Sequence, residues 1–391
     1  MKSLKMMWYE IKKIFRSRAV LILSIIVPTI LAFLGSSFYP KNLTQNFSLV
    51  IYNQDKSFLG NFTFLLIKQF LSFENTVEIS TEEDFNRLIE QGNYDSIIII
   101  PKGFANDLVN KVQTSLYVVP NPHNIQNSLM IYTAFKAVFD ELAGIPEIRV
   151  GSTTEFLLGG GIGIDETRPK PEIKMLIPNA KDKTLVEADS DSFGINDMFA
   201  PIVAVVAILI SSMIGISNSL GQARESKLLD LYLSNGLSIR VFTVAKLLAY
   251  LLFGFVIGIF SWGMFRLLGV HSLAVSWHLF LLIFVSVFTF TAFGLVLSSF
   301  LKSAKAASFL VTAVIGLMFV FGNVLIPVPK GGFLEKFSYI FPVKYSLDAW
   351  RKLTVLGYGI IDIYKEIIIL MIFGLFCFFL SLFLIRVTQE T

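Results

Sequence analysis

Residues able to do chemistry are sparse in this 391-residue chain, and their spacing excludes most enzymatic roles. The three histidines, His123, His271 and His278, stand too far apart for metal-ligand spacing. No G-x-x-x-x-G-K-[ST] run occurs, so the chain has no Walker loop to cradle nucleotide phosphates. Gly159, Gly160, Gly161 and Gly163 lack G-x-G-x-x-G spacing, and no expected strand feeds into them, so they read as a flexible loop. Scattered Ser, His and Asp form no local triad. Ser211, Ser212, Ser217, Asn218 and Asn323 lie in apolar surroundings, where hydrogen bonding between helices is the plainer role. For Ser211, Ser212, Asn218 and Asn323, lining a substrate path is the alternative. The remaining feature is the polar run from Gly221 to Arg240 between two long apolar segments. It cannot lie in hydrocarbon, so it belongs at a membrane face where a soluble partner can push on it.

The elements that carry these residues follow from composition. Hydrophobic residues make up 54% of the chain, with 38 Phe and only 16% charged residues, which points to a polytopic membrane protein. Runs of roughly 20 apolar residues can cross a bilayer. They occur at Ala19–Tyr39, Phe199–Ser219, Phe242–Leu268, Trp277–Phe300, Ser308–Val328 and Ile367–Ile385. The expected fold is a polytopic α-helical membrane protein with six transmembrane helices, plus an inserted α/β extracytoplasmic domain. Its parts are a surface helix over residues 1–18, a first span at 19–39, the inserted domain at 40–197, and five further spans within 198–391.

Charge sets the expected orientation. Lys2, Lys5, Lys12, Lys13, Arg16 and Arg18 precede the first span, opposed only by Glu10, which places the N-terminus in the cytoplasm. Six crossings return the C-terminus to that side. The inserted segment is acidic, with 13 Lys and Arg against 21 Asp and Glu, and the rest of the chain is basic. Lys330, Lys336, Lys344, Arg351 and Lys352 oppose this assignment, falling in a loop that should be external and is therefore expected to be interfacial. Leu4, Met7, Trp8, Ile11, Ile14 and Phe15 share one helical face opposite Lys5, Lys12, Lys13 and Arg16, as in a helix lying in the membrane surface, with an ordinary basic flank as the alternative. A cleaved signal peptide ending near Gly35, Ser36 and Ser37 is the alternative for the first span, but its apolar run is longer than usual for one. Lys246, Arg266, Lys365 and Glu366 lie near span ends, where long side chains can snorkel. The lack of carboxylates deeper in the spans argues against an ion-coupled carrier. The single cysteine, Cys377, falls in the last span, so the external domain has no disulfide, a pattern commoner in prokaryotes; there the sequons at Asn42, Asn46 and Asn61 carry no meaning.

The inserted domain alternates short aliphatic runs (47–52, 76–79, 96–100, 115–119) with amphipathic stretches (59–72, 81–91, 103–112, 124–142), the pattern of a sheet covered by helices. Ser80 and Glu83 have capping-box spacing, and Gly92 stands where that helix should stop. Beyond Gly144 the pattern weakens. In the third span, Gly254 and Gly258 form a small-x-x-x-small pair suited to close helix contact, with Gly263 just beyond.

The run Arg224-Glu225-Ser226-Lys227-Leu228-Leu229-Asp230-Leu231-Tyr232-Leu233, followed by Gly236-Leu237-Ser238 and Lys246, resembles the R-E-x-G-T-L-E-x-L-L…P-L-S…K signature of type 2 ABC exporter permeases. Lys227 stands for the usual Gly, Leu228 for Thr, Asp230 for Glu and Gly236 for Pro. Asp55-Lys56-Ser57, and Asp95 to Ile100 leading into Pro101-Lys102-Gly103-Phe104, resemble the external domain of members with a large insert after span one. Gly322, Pro327, Phe341, Pro342, Tyr345 and Arg351 resemble the family's re-entrant hairpin, here at 329–358, and the N-terminal helix resembles its elbow helix. Lys344, Arg351 and Lys352 would then reach lipid phosphates, with Phe341, Tyr345 and Trp350 as interface anchors.

The resemblance implies a multi-pass permease in the cell membrane, with both termini cytoplasmic and no catalytic site of its own. It implies a separate ABC ATPase subunit that holds ATP and Mg, a second permease copy and membrane lipids as partners, and no nucleic acid. A coupling helix at 221–240 would dock the ATPase through Arg224, Glu225, Lys227, Leu228, Leu229, Asp230, Tyr232 and Gly236. The exported substrate would be a drug, antibiotic or lipid, with sodium ion as the alternative. A membrane-anchored receptor or scaffold is the reading from another class.

Overall fold

The computed structural model describes residues 2–16, 48–71, 75–110, 112–144, 172–179, 184–187, 195–267, 277–301, 303–322, 324 and 333–390. The chain forms two compact units, Pro40–Ile195 and the combination of Met1–Tyr39 with Asn196–Thr391. The expected first span and the Gly159–Gly163 run lie outside the described residues.

In the Pro40–Ile195 unit, six strands form one sheet in the order β2-β1-β3-β4-β5-β6. They are β1 (Ser48–Asn53), β2 (Asn75–Ile79), β3 (Ser96–Ile100), β4 (Ser115–Pro120), β5 (Glu172–Pro178) and β6 (Leu185–Glu187). β1 runs parallel to both β2 and β3, β4 is antiparallel to β3 and parallel to β5, and β6 is antiparallel to β5. The helices are α2 (Phe58–Leu71), α3 (Glu82–Gln91), α4 (Phe104–Val109) and α5 (Ile125–Gly144); α1 (Lys2–Arg16) belongs to the other unit. β1 and β3 read as nearly unbroken aliphatic runs because they are buried along almost their whole length, as central parallel strands are. Val50, Tyr52, Ile97 and Ile99 share a core with Phe85 of α3, and Tyr52 stacks on Phe85 at 5.0 Å.

The capping box lies one residue later than its spacing suggested. Thr81 is the N-cap and accepts from the Asp84 amide at 3.3 Å, while Gly92 ends α3 in the left-handed region at φ 66°. Asp55 organises the ends of β1 and β3. Its carboxylate accepts from the amides of Ser57 (3.1 Å) and Ala105 (3.0 Å), tying the start of α4 to the turn before α2. These contacts give Asp55 and Ser57 structural roles in that turn. A Cβ on Gly60 would lie 2.2 Å from the Asp55 carbonyl oxygen, so only glycine fits.

The other unit is helical: α6 (Ile195–Glu225), α7 (Leu228–Ser234), α8 (Ile239–Leu267), α9 (Trp277–Ser299), α10 (Ala304–Phe321), α11 (Phe333–Ser338), α12 (Pro342–Thr354) and α13 (Tyr364–Glu390) join α1. Five of these, α6, α8, α9, α10 and α13, are long and apolar enough to cross a membrane. α9 packs against α8, α10, α12 and α13. Its Thr289 hydroxyl donates to the Leu370 carbonyl of α13 at 2.9 Å, and Ser286 hydrogen-bonds Ser346 of α12 at 2.9 Å. A Cβ on Gly254 would approach Ser212 Oγ and Val287 of the neighbouring helices to 2.7 Å, and one on Gly258 would meet Ile283 at 2.7 Å, so this glycine pair does mark close packing. Nothing crowds Gly263.

Candidate functional site

The run 221–240 is not one helix. Gly221 to Glu225 are the last turn of α6, Ser226 and Lys227 form a turn, α7 follows, and Ile239 already begins α8. Lys227 has φ 54°, a left-handed conformation that costs an L-residue about 1–2 kcal/mol. The glycine of the resembled signature suits that conformation. α7 closes with a Schellman motif in which Gly236, at φ 74°, donates to the Leu233 carbonyl and Leu237 donates to the Tyr232 carbonyl, both at 3.0 Å. Proline could not take this φ or supply the amide hydrogen, which accounts for the glycine in its place.

The two charged residues at the head of the run face their own chain. Arg224 Nη1 donates to the carbonyls of Ser298 (3.4 Å), Ser299 (3.1 Å) and Leu301 (2.8 Å), placing a cation at the C-terminus of α9. Glu225 Oε1 accepts from the Ser303 hydroxyl (3.0 Å) and the Ala304 amide (2.7 Å), an anion at the N-terminus of α10. Together they clamp the turn between α9 and α10.

Of the apolar residues expected at the surface, Leu229 is fully buried and Leu228 and Tyr232 are half-buried, with Tyr232 packed on Phe242 at 6.2 Å. The outward side chains are Asp230, Leu231, Ser234 and Asn235; Leu231 is 58% exposed.

Beneath α7 lies a cluster that spacing did not reveal. Lys246 Nζ, fully buried, donates to Glu10 Oε1 of α1 at 2.8 Å and to the Ser219 carbonyl of α6 at 3.3 Å; it also hydrogen-bonds the Ser219 hydroxyl. That hydroxyl donates to Glu10 Oε2 at 3.0 Å, and Tyr250 hydrogen-bonds Ser219 as well. Lys246 therefore does not snorkel; a buried acid from another element neutralises it. The Tyr232 phenol is pushed above its ordinary pKa by burial first, then by the nearby Tyr9 and Glu10. α1 buries Met6, Glu10 and Ile14 and exposes Lys5, Trp8, Tyr9, Lys12 and Arg16. Its buried face is thus rotated from the expected apolar stripe, because Glu10 must reach Lys246, and Trp8 turns outward.

Of the four possible path residues, three are described. Ser211 donates to the Ile208 carbonyl (3.1 Å), Asn218 accepts from Ser308 of α10, and buried Ser212 lies against Gly254. Asn323 lies outside the described residues.

In the hairpin, the three cations expected at lipid phosphates are held internally. Lys344 donates to Ser338 Oγ (3.0 Å) and sits 3.5 Å over the Tyr339 ring, Arg351 is buried 3.9 Å from Asp348, and Lys352 pairs with Glu366 at 2.7 Å. Trp350 and Phe341 are buried in the bundle core instead of anchoring at an interface, because the apolar face of α12 packs against α9 and α13. Pro342 occupies the first turn of α12, and the Tyr345 hydroxyl donates to the Tyr339 carbonyl at 2.9 Å.

Comparison with known proteins identifies the family. A family model described as "ABC-2 family transporter protein" matches residues 18–383. A search of curated proteins returns no match. The match spans nearly the whole chain, both units included, and the chain therefore belongs to the ABC-2 transporter family, as a membrane-spanning permease.

Proposed function

We propose that this permease dimerises, seats a separate ATPase subunit on the outward face of α7 in each copy, and exports a hydrophobic or amphipathic substrate. The observation that carries this reading is α7 itself, a short helix fixed at both ends by left-handed turns, with Leu229 buried beneath it and Asp230, Leu231 and Ser234 facing outward between two spans. A rigid polar-rimmed knob suits a partner that must transmit movement, because a flexible loop would absorb the displacement. Permeases of this family normally work with an ABC ATPase, and this chain has no Walker loop of its own. The energy source is then ATP bound by the partner, acting by favouring one arrangement of the permease pair over another. Among the described spans, carboxylates occur only near the ends, at Glu225 and Glu366, which favours an uncharged or amphipathic cargo over a bare cation. The face with α7 is cytoplasmic in this reading, and the Pro40–Ile195 unit is external.

Co-purification of the permease with an ABC ATPase subunit tests the docking. Leu231→Asp is expected to abolish co-purification while leaving the permease folded in detergent. An unchanged complex would remove α7 as the docking element.

A further inference from the structure

Glu10 is the only acid in α1, and Lys246 is the only ionisable group in α8 between Arg240 and Arg266 apart from Tyr250. Both are essentially inaccessible, at 1% and 0% exposure. Neither could stay buried in its charged form without the other. The three N–H bonds of the ammonium have acceptors in the Glu10 carboxylate and in the carbonyl and hydroxyl oxygens of Ser219, so the cluster closes on itself across α1, α6 and α8. Lys246 Nζ also lies 5.1 Å over the Phe242 ring, and that ring packs on Tyr232 of α7. One aromatic step separates the charges from the outward helix.

An apolar cluster would hold α1 at least as firmly, so adhesion alone does not explain charges here. What an apolar contact cannot do is choose a face. Met7, Trp8 and Ile11 offer α1 another apolar stripe, whereas Glu10 has one place in the bundle where its charge is neutralised.

We propose that Glu10, Lys246 and Ser219 are positioning residues that fix the rotational setting of α1 and, through Phe242 and Tyr232, the seat of α7, so that coupling to the ATPase depends on the ion pair. The coupling part rests on the proposed function above; the setting of α1 does not.

The test uses the full-length permease with its ATPase in nanodiscs and has two readouts. The first is permease-dependent ATPase rate. The second is maleimide labelling of Met6→Cys, a buried position, in a Cys377→Ser background. Glu10→Gln and Lys246→Met are each expected to lower the rate roughly two- to thirtyfold and to expose position 6. The uncharged pair Glu10→Gln/Lys246→Met should regain thermal stability yet stay uncoupled and labelled, which a merely structural contact would not predict. The exchange Glu10→Lys/Lys246→Glu should restore protection and much of the rate. An uncharged double variant equal to wild type in both readouts overturns the proposal, as does an exchange variant no better than the single ones. If wild type binds no ATPase, the docking reading falls, and labelling alone decides the setting of α1.

Discussion

Two ends of the helical bundle keep basic side chains away from solvent, and they do so over very different distances along the chain. At the α7 end, Lys246 finds its acid 236 residues earlier and Arg224 caps carbonyls 74 to 77 residues later. At the hairpin end, Lys344, Arg351 and Lys352 find partners within 14 residues. Short-range pairs can form as the hairpin folds on itself. Long-range pairs exist only once α1, α6, α8 and α9 have assembled, so they enforce the register of the assembly. The contrast also involves solvent: both members of the Glu10–Lys246 pair are inaccessible, while Lys352 and Glu366 keep side-chain exposures of 11% and 12%.

Breaking the two pairs should therefore have unequal costs. Lys246→Met leaves a carboxylate stranded in the bundle and should cost about 3–5 kcal/mol in denaturant unfolding of the detergent-solubilised protein. Lys352→Met should cost about 1.5–3 kcal/mol in the same assay, because the Lys352 and Glu366 side chains are not fully buried. Equal losses would erase the distinction. Gly236→Pro probes the α7 end without touching a charge. Forcing φ away from 74° and removing the Schellman amide should loosen α7 at a cost of about 1–3 kcal/mol, seen as faster protease cleavage between α6 and α8. The smallest effect should be a gain. Lys227→Gly relieves the left-handed strain and, after the added freedom of the unfolded chain, should stabilise by about 0.5–1 kcal/mol; a loss would mean that the Lys227 side chain contributes more than its backbone costs.

Much of the scaffold was legible in the amino-acid sequence because it depends on long patterns. The five described spans coincide with apolar runs, and β1 to β4 fall within a residue or so of their aliphatic stretches. β5 and β6 were missed because β5 buries few side chains between charged neighbours and β6 has only three residues. At the candidate site, short-range rules misled. A charged run at a membrane border reads as free to meet a partner, yet Arg224 and Glu225 are already engaged by the termini of α9 and α10. Seven residues are too few for a periodicity that would separate buried Leu229 from exposed Leu231. The one hint of the buried ion pair was a lone acid in a basic helix and a lone lysine within a span, and no local pattern relates residues that far apart.

The clamp on the α9–α10 turn bears on how partner choice can evolve. Arg224 and Glu225 serve the permease's own fold, so a change there would be selected against whichever ATPase is present. Leu231, which is 58% exposed, carries no such obligation to the core and can drift. In this family, the recurring part of the motif would then identify the permease, and the variable part beside it would identify its motor.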